Sequence, residues 1–238
     1  MKKIIISSFI FVMAFTGVLY ANDIYITQVG DTLDLDITQD GADNKVGTST
    51  TDATLNGDGM TFSITQTGSY NTIAAVIKGS TYTGTWDFTG SSNTVDMDCS
   101  SAAAGSCDTV TLNITNTGDS NSYEFDIGEV GDADNAVINF TTTGDNSIIN
   151  TTIDGQSAAL TVIMNNSSSL ATTSAASNEG NTITTTQTGN GDSVGHTIAL
   201  DVTGGGGTVD ITQSGVNDNI VDLTLSGDSF DVDIIQQD

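Results

Sequence analysis

Side-chain amides recur at fixed places in this sequence, and amides can form hydrogen bonds to one another in rows. The phrase apolar-x-Ile-Thr-Gln-x-Gly, with Asn three or four residues after the glycine, occurs at residues 35–44, 62–71 and 209–219. Burying an amide is unfavourable unless it is hydrogen-bonded, but identical amides stacked at the spacing of β-strands can each donate to the next. The pattern therefore predicts an inward amide ladder that fixes the register of stacked strands.

The predicted ladder takes its members from both sides of the glycine in each copy of the phrase, including a copy at residues 112–121 with Asn in place of Gln. An alternative is that these polar residues merely favour turns, which suits asparagine well and glutamine badly. The predicted ladder residues are Gln28, Gln39, Asn44, Gln66, Asn71, Asn93, Asn116, Asn121, Gln187, Gln213 and Asn219.

Glycines mark the corners between the strands of this repeat. Several of them fall eleven residues apart, which matches one strand plus one corner, so two such arms predict a coil of about 22 residues. The predicted corner glycines are Gly30, Gly41, Gly68, Gly79, Gly90, Gly118, Gly144, Gly155, Gly189 and Gly215.

Alternation of apolar and polar residues on either side of each corner predicts β-strands. Phe62, Ile64 and Gln66 share one face of such a strand, while Ser63 and Thr65 point outward. A unit this short cannot bury its own apolar face, so its copies must stack on one another. The predicted fold is all-β: a single-domain β-solenoid of stacked strand-turn-strand coils, about 22 residues each and cross-β-like, over residues 22–238.

The N-terminus differs from the rest of the chain. Lys2 and Lys3 precede an apolar run from Ile4 to about Leu19, which predicts a secretory signal peptide at residues 1–21. A membrane anchor is the alternative, but the run is short for a membrane span. We therefore expect export, and no membrane span after cleavage.

Charge and cysteines limit the partners of the exported chain. Lys45 and Lys78 are its only lysines against 30 acidic residues, so nucleic acid and anionic membranes are not expected to bind. Cys99 and Cys107 flank a short loop, and an oxidising compartment favours a disulfide between them.

Catalytic motifs are missing from the sequence. The chain has one histidine, no arginine, and no Gly-x-Ser-x-Gly elbow, Walker loop or His-Glu-x-x-His motif. His196 shares a strand face with Val194 and Ile198, which favours a core-lining role over a catalytic base or metal ligand. We therefore predict no enzyme, and no catalytic, cofactor-binding or metal-binding residues.

The spacing Gln-x-Gly-x-x-Asn between alternating strands, as in residues 39–44 and 66–71, resembles the repeat of the curlins, the subunits of bacterial curli amyloid fibres. Degenerate copies extend over most of residues 24–237. Curlin repeats usually open with Ser six residues before the Gln and close with Gln six after the Asn, where this chain has Leu33 or Met60 and Thr50 or Ile77.

The resemblance implies a secreted protein of the cell surface or extracellular matrix that polymerises end to end into fibres for biofilm formation and adhesion. Its implied partners are further copies of the same chain, a nucleating minor subunit and an outer-membrane secretion pore. The uncapped C-terminal arms, with Val221, Leu223 and Leu225 and then Phe230, Val232 and Ile234, suit such templating, although residues 236–238 could instead form a cap. Outward aspartates are the hypothesised gatekeepers that hold soluble subunits apart until they are screened or protonated.

Two other functions fit parts of the pattern. Outward threonines in Thr-x-Thr pairs at residues 65–67, 115–117, 141–143 and 186–188 resemble the arrays of ice-binding β-solenoids. A repeat segment of a calcium-stabilised adhesin is the third option, and it predicts a large melting shift on addition of calcium.

Overall fold

The computed structural model describes residues 22–48, 50, 52–99, 109–127, 135–144, 146–153, 157, 159–165, 168–174, 182–188, 197–203, 206–214 and 220–237. These residues form strands, turns and bends, without a helix. Their strands are β1 (Asp23–Ile24), β2 (Thr27–Val29), β3 (Asp34–Asp40), β4 (Lys45–Val46), β5 (Ala53–Asn56), β6 (Met60–Thr67), β7 (Thr72–Lys78), β8 (Tyr82–Thr89), β9 (Thr94–Cys99), β10 (Thr111–Thr117), β11 (Ser122–Ile127), β12 (Val137–Thr143), β13 (Ser147–Ile153), β14 (Ala159–Asn165), β15 (Ser168–Ser174), β16 (Thr182–Thr188), β17 (Thr197–Thr203), β18 (Thr208–Ser214), β19 (Ile220–Ser226) and β20 (Asp231–Gln237).

The strands belong to two parallel sheets, and the chain crosses from one to the other at each corner. The nine-stranded sheet runs in the order β3, β6, β8, β10, β12, β14, β16, β18, β20. The eleven-stranded sheet runs β1, β4, β7, β9, β11, β13, β15, β17, β19, with β2 paired to β5 and β5 to β7. Each strand therefore lies over a strand of the preceding coil, which confirms the predicted all-β solenoid.

Coil length varies along the solenoid, with insertions in some coils. Asn71 and Asn93 lie above one another 22 residues apart, as expected, whereas Asn93 and Asn121 are 28 residues apart. The additional residues leave the strand register unchanged, since β8 pairs with β10 residue for residue. Coils of different length thus keep the same strand register.

The core lies between the two sheets and is built by alternation within each strand. In β8, Tyr82, Trp86 and Phe88 are buried, while Thr83, Thr85 and Asp87 are exposed. The central coils hold the largest side chains, with rings in contact between coils and across the two sheets. The rings of Tyr123 and Phe140, for example, meet edge-to-face with centroids 4.6 Å apart, a geometry that aromatic pairs favour.

Candidate functional site

One inward row runs along the whole nine-stranded sheet, two residues before the corner glycine in most of its coils. Its members follow from the strand register, each lying above the one before it. The row consists of Gln39, Gln66, Phe88, Asn116, Thr142, Met164, Gln187, Gln213 and Gln236. The sequence pattern does not include Gln236, because Asp238 instead of glycine stands two residues after it.

Glutamines of this row are hydrogen-bonded to each other wherever two of them are neighbours. Gln66 Nε2 donates to Gln39 Oε1 at 2.7 Å. Near the other end, Gln213 Nε2 donates to Gln187 Oε1 at 2.9 Å, and Gln236 Nε2 donates to Gln213 Oε1 at 2.7 Å. In all three pairs the amide of the later coil donates to the amide of the earlier coil, so these hydrogen bonds all point in the same direction along the row.

Phe88 interrupts this ladder near the middle of the molecule. It lies between Gln66 and Asn116, and the facing oxygens, Gln66 Oε1 and Asn116 Oδ1, are buried without a hydrogen-bond partner. Beyond it, Asn116 Nδ2 donates to Thr142 Oγ1 at 3.1 Å, which reverses the polarity. The sequence indicates this position of Phe88, since Phe88 stands two residues before Gly90 as Gln66 stands two residues before Gly68.

The buried asparagines form a second row with a different bonding pattern from the one predicted. Each Nδ2 donates to the carbonyl of the glycine three residues earlier, as from Asn71 to Gly68 at 2.6 Å. The Oδ1 atom accepts from the backbone N–H of the asparagine in the preceding coil, as Asn93 Oδ1 does from Asn71 at 3.2 Å. Asparagine therefore closes its own corner and ties it to the coil below, rather than joining an amide-to-amide ladder. Both bonds are made by Asn71, Asn93 and Asn121. Asn44 also donates to its corner glycine, but its Oδ1 accepts from the side chain of Asn22.

Gln28 is the one described ladder residue that the structure places outside both rows. It pairs in register with Leu55, so no amide lies above it, and its Nε2 reaches only the carbonyl of Gly30 at 3.4 Å. The cause is its position: Gln28 precedes the other corner of the coil, where the inward row is aliphatic. Asn219 lies outside the described residues.

Corner glycines stack directly on one another. A Cβ atom on Gly90 would run into the carbonyl oxygen of Gly68, and one on Gly118 into that of Gly90. Gly57 takes a corner position that sequence analysis missed, because it follows Leu55 and Asn56 rather than a glutamine motif. The predicted corners with positive φ are Gly30, Gly41, Gly68, Gly79, Gly90, Gly118 and Gly144, whereas Gly155, Gly189 and Gly215 lie outside the described residues.

Both ends of the solenoid leave apolar rows half covered. In the described part of the chain, β3 and β20 are the edge strands of the nine-stranded sheet, and no strand pairs with their outer edges. Ile234 of β20, which continues the inward row of Ile211, is 45% exposed. The half-buried apolar residues that pack against the core all lie at the two ends: Ile24, Ile26, Leu33, Leu35, Val221, Leu223, Leu225, Phe230 and Val232.

Comparisons with known proteins give no relative. No family model, no curated protein and no solved structure matches this chain. The similarity to curlins therefore rests on the repeat motif, and the functional argument rests on the geometry of this molecule.

A third row of contacts runs along the outside of a corner. Asp31 Oδ1 accepts from the backbone N–H of Asp58 at 3.0 Å, and Asp58 Oδ1 accepts from the backbone and hydroxyl of Ser80 at 2.7 and 2.9 Å. The two Ser80 bonds lower the pKa of the Asp58 carboxyl, because they favour its charged form. In this row the earlier coil supplies the accepting oxygen, whereas in the asparagine row the later coil supplies it.

Carboxylates face each other on the outer side of the eleven-stranded sheet. Asp96 pairs in register with Glu124, and Asp98 pairs with Asp126. Burial raises the pKa of Asp96, and the charges of Asp52, Asp126 and Asp98 raise it further. Among the described residues, no group of three or more His, Cys, Asp or Glu side chains could hold a metal ion.

Threonines form rows on the outer side of the nine-stranded sheet. One row extends over most of the sheet, and the row beside it is confined to the strands from β6 to β16. One contains Thr38, Thr65, Thr115, Thr141, Thr186 and Thr212, and the row beside it contains Thr67, Thr89, Thr117, Thr143 and Thr188. Asp87 and Ile163 interrupt the first row, which ends in Ile235. Asn165 interrupts the second row, which is bordered by Asp40 and Ser214.

Cys99 is buried and disulfide-bonded, and Cys107, the only other cysteine of the sequence, lies outside the described residues. His196 and the predicted signal peptide also lie outside them. In the described part of the chain, no helix has the length and apolar character needed to cross a membrane.

Proposed function

We propose that this chain is a secreted structural protein that assembles end to end into curli-like amyloid fibres, for biofilm matrix, adhesion and surface colonisation. The observation that carries the proposal is the pair of uncovered ends. Inward rows that are fully buried in the central coils become half exposed at β19 and β20 and at the first strands of the chain.

Uncovered ends favour association for two physical reasons. An edge strand presents unpaired backbone N–H and C=O groups along its length, and a second strand can pair with them. A solenoid also needs a polar cap at each end if it is to remain monomeric, whereas β20 presents the inward side chains of Ile234 and Val232 half covered. A further copy of the same solenoid supplies both the missing backbone partners and the missing apolar cover.

The expected location agrees with this role. A predicted signal peptide directs the chain out of the cytoplasm. The disulfide at Cys99 suits an oxidising compartment. Surface charge is strongly acidic, which favours solubility of the single subunit before assembly.

The test is fibre formation by purified residues 22–238, followed with an amyloid dye and by electron microscopy. We expect filaments with cross-β diffraction at the strand spacing of about 4.8 Å. Ile234→Lys places a charge at the exposed end of an inward row and should abolish growth. Thr141→Lys adds the same charge on the outer face of a central coil and should leave growth unchanged. A chain that stays monomeric for days at high concentration contradicts the proposal.

A second candidate function comes from the threonine rows. Threonines in register along parallel strands lie about 4.8 Å apart, and those two residues apart in one strand lie about 7 Å apart, so they form a flat, regular grid of hydroxyl and methyl groups. Such a grid suits the binding of ordered water, as in ice-binding β-solenoids. This function predicts thermal hysteresis in a monomer, with loss on Thr115→Lys, and it predicts no dye-positive filaments.

A further inference from the structure

We propose that one copy joins the next with β20 on β3 and β19 on β1 and β2, and that facing aspartates across this joint make growth depend on acid. The inference rests on the proposed end-to-end assembly, and it adds the register and the regulation of the joint. Its evidence comes from the two terminal strands of the nine-stranded sheet.

The two terminal strands have matching sequences. β3 is Asp-Leu-Asp-Ile-Thr-Gln-Asp and β20 is Asp-Val-Asp-Ile-Ile-Gln-Gln. Followed through every strand of the sheet, the register runs from Asp34 to Asp231 and from Gln39 to Gln236 without a shift. A copy added in the same register therefore meets a strand of its own pattern.

The order in which the chain visits the two sheets also allows a second copy to continue the solenoid. The described chain starts in the eleven-stranded sheet, with β1 and β2, and finishes in the nine-stranded sheet, with β20. After a strand of the nine-stranded sheet, the next strand in the solenoid belongs to the eleven-stranded sheet. The first strands of a second copy are therefore the ones that the coil needs after β20.

The same register covers the half-buried residues of both ends. It places Val232 on Leu35 and Ile234 on Ile37 in the nine-stranded sheet. In the other sheet it places Val221 on Ile24. Apolar residues thus meet apolar residues, and Gln236 meets Gln39 in the row where neighbouring glutamines are already hydrogen-bonded.

The outer rows of this joint bring like charges together. Asp231 meets Asp34 and Asp233 meets Asp36, at the spacing of neighbouring strands, about 4.8 Å. Within one copy, Asp34 has Thr61 and Asp36 has Ser63 as its register neighbour. Joining two copies therefore creates carboxylate pairs that the separate molecules lack.

Other charged groups around the joint do not relieve this repulsion. On the strand behind β20, Asp210 pairs with Asp233, so the joint extends a pair into a row of three. Asp40 of β3 falls opposite Gln237, and Asp228 and Asp31 occupy equivalent corner positions after β19 and β2. Lys45 is the nearest lysine along the chain, but it pairs with Asp23 in the eleven-stranded sheet.

The strands on the eleven-stranded side of the joint carry no facing carboxylates, and Asp228 opposite Asp31, at the corner that follows them, is the one such pair there. In the same register Asp23 falls opposite Ile220, and Asp222 falls opposite Tyr25. Like charges directly opposite one another destabilise strand pairing. The barrier to joining therefore lies chiefly in the β20–β3 contact, which holds two of the three facing pairs, and protonation of those aspartates removes most of it.

Seeded elongation of residues 22–238 tests the acid dependence. We expect elongation at pH 4 to be at least about tenfold faster than at pH 7, because two facing pairs lose their repulsion. The double variant Asp231→Asn and Asp233→Asn should elongate at pH 7 within about twofold of its own rate at pH 4. The control, Asp87→Asn with Asp201→Asn, changes net charge equally in coils whose register neighbours are threonines, and it should keep the wild-type pH dependence.

Outcomes of this experiment separate the two proposals. If no chain forms fibres at either pH, the proposed end-to-end assembly fails. If all chains form fibres with the same rates at both pH values, or if the control loses its pH dependence as the joint variant does, assembly stands and the aspartate gate is overturned. Melting temperatures of the monomers show that each variant is folded before seeding.

Disulfide cross-linking tests the register separately. In the proposed joint, Ile235 of one copy lies beside Thr38 of the next, with Cα atoms close enough for a disulfide. Fibres grown from a mixture of Thr38→Cys and Ile235→Cys chains should yield covalent dimers on oxidation. A mixture of Thr38→Cys and Gln237→Cys, two residues out of register on the same face, should not. Equal or reversed yields overturn the register.

Discussion

The central coils and the terminal coils of this solenoid fill the same inward row with different kinds of side chain. In the centre, the inward row holds Phe88, and large rings such as Trp86 and Tyr123 fill the space between the sheets. Towards the ends, the same row holds glutamines that bond to each other. Aromatic burial dominates in the middle of the molecule, and amide bonding dominates in the coils nearer to its two ends.

Aromatic burial and amide hydrogen bonding differ in how much they stabilise the fold and in how strictly they fix the strand register. Burying a large apolar side chain contributes about 1.5–3 kcal/mol, but it tolerates small shifts in register. A hydrogen bond contributes a net of about 1 kcal/mol, but it requires a partner at one place along the strand. The centre therefore supplies most of the stability, and the ends supply the register that an added copy must match.

The largest expected effect on stability comes from replacing a corner glycine with alanine, and it should be greater at a central corner than at a terminal one. Gly90 and Gly41 have the same φ of 134°, so replacement by alanine strains both backbones equally. A Cβ at Gly90 meets the backbone of the coil below, whereas one at Gly41 meets only Asn44 Oδ1 at 3.7 Å. Gly90→Ala should lower the free energy of unfolding by more than about 4 kcal/mol, and Gly41→Ala by about 1–3 kcal/mol.

Urea unfolding of the monomeric variants measures this difference. Because the strain is matched, the gap between the two variants isolates the stacking of glycine corners. Equal losses would mean that the corners are free to move apart, and would remove close stacking as a source of stability in the centre.

The next largest effect on stability is expected from replacing a glutamine of the inward row with methionine, and it should differ between two members of the row. Gln213 donates to Gln187 and to the Ile220 carbonyl, and it accepts from Gln236. Replacing it with methionine keeps the shape but removes all three bonds, and should cost about 2–3 kcal/mol of unfolding free energy.

Gln66→Met is the matched variant beside the aromatic centre. It removes one bond, to Gln39, together with an oxygen that is buried without a partner. We expect a loss below about 1 kcal/mol, because removing the unpartnered oxygen offsets the lost bond. If both variants lost the same stability, the distinction between a bonded end and a packed centre would be wrong.

Much of this architecture was accessible from the sequence. Alternation with period two around a recurring Gly-x-x-Asn corner predicts stacked parallel strands, and the pairing of Gln39 with Gln66 follows from aligning two copies of the motif. Phe88 and Met164 show where the sequence interpretation stopped. Each lies 22 residues after the preceding member of the glutamine row, but its side chain is apolar, so a pattern defined by amides does not include it.

The bonding of the asparagines needed the structure for a different reason. An asparagine side chain offers both a donor and an acceptor, so strand parity alone allows an amide ladder or a corner clamp. The choice depends on where the glycine carbonyl three residues earlier points, as Gly68 does towards Asn71. That direction follows from the corner backbone, which the sequence pattern does not specify.

A smaller effect is expected from one hydroxyl group in the aromatic centre. Tyr123 is buried, its hydroxyl has no hydrogen-bond partner, and burial raises the pKa of its phenol. Tyr123→Phe should therefore raise the free energy of unfolding by about 1 kcal/mol, since the unpartnered group is removed and the ring packing stays. Tyr70→Phe, at a corner residue that is 62% exposed, is the control and should change nothing. A loss of stability in Tyr123→Phe would show that the hydroxyl has a partner.

The smallest effect concerns the outer carboxylates of the central coils. Asp96 has a raised pKa in the folded chain, mainly through burial and then through the charges of Asp52, Asp126 and Asp98. A raised pKa means that the folded state holds the proton more tightly than the unfolded chain does. Its contribution to stability is therefore present below the ordinary aspartate pKa of 3.8 and is lost as the pH rises through the folded value. Asp96→Asn should thus be more stable than wild type at pH 7, by under about 0.5 kcal/mol because solvent screens the site.

That advantage should shrink as the pH falls towards 3.8, since wild-type Asp96 is then protonated as well. Asp201→Asn, whose register neighbours are threonines, should show a smaller advantage at pH 7. Urea unfolding at pH 7 and near pH 4 measures both variants. An advantage of Asp96→Asn that grew towards low pH would reverse the sign of the interaction. The facing carboxylates of the centre would then stabilise the fold, and like-charge pairs at a joint between copies could not be expected to oppose it.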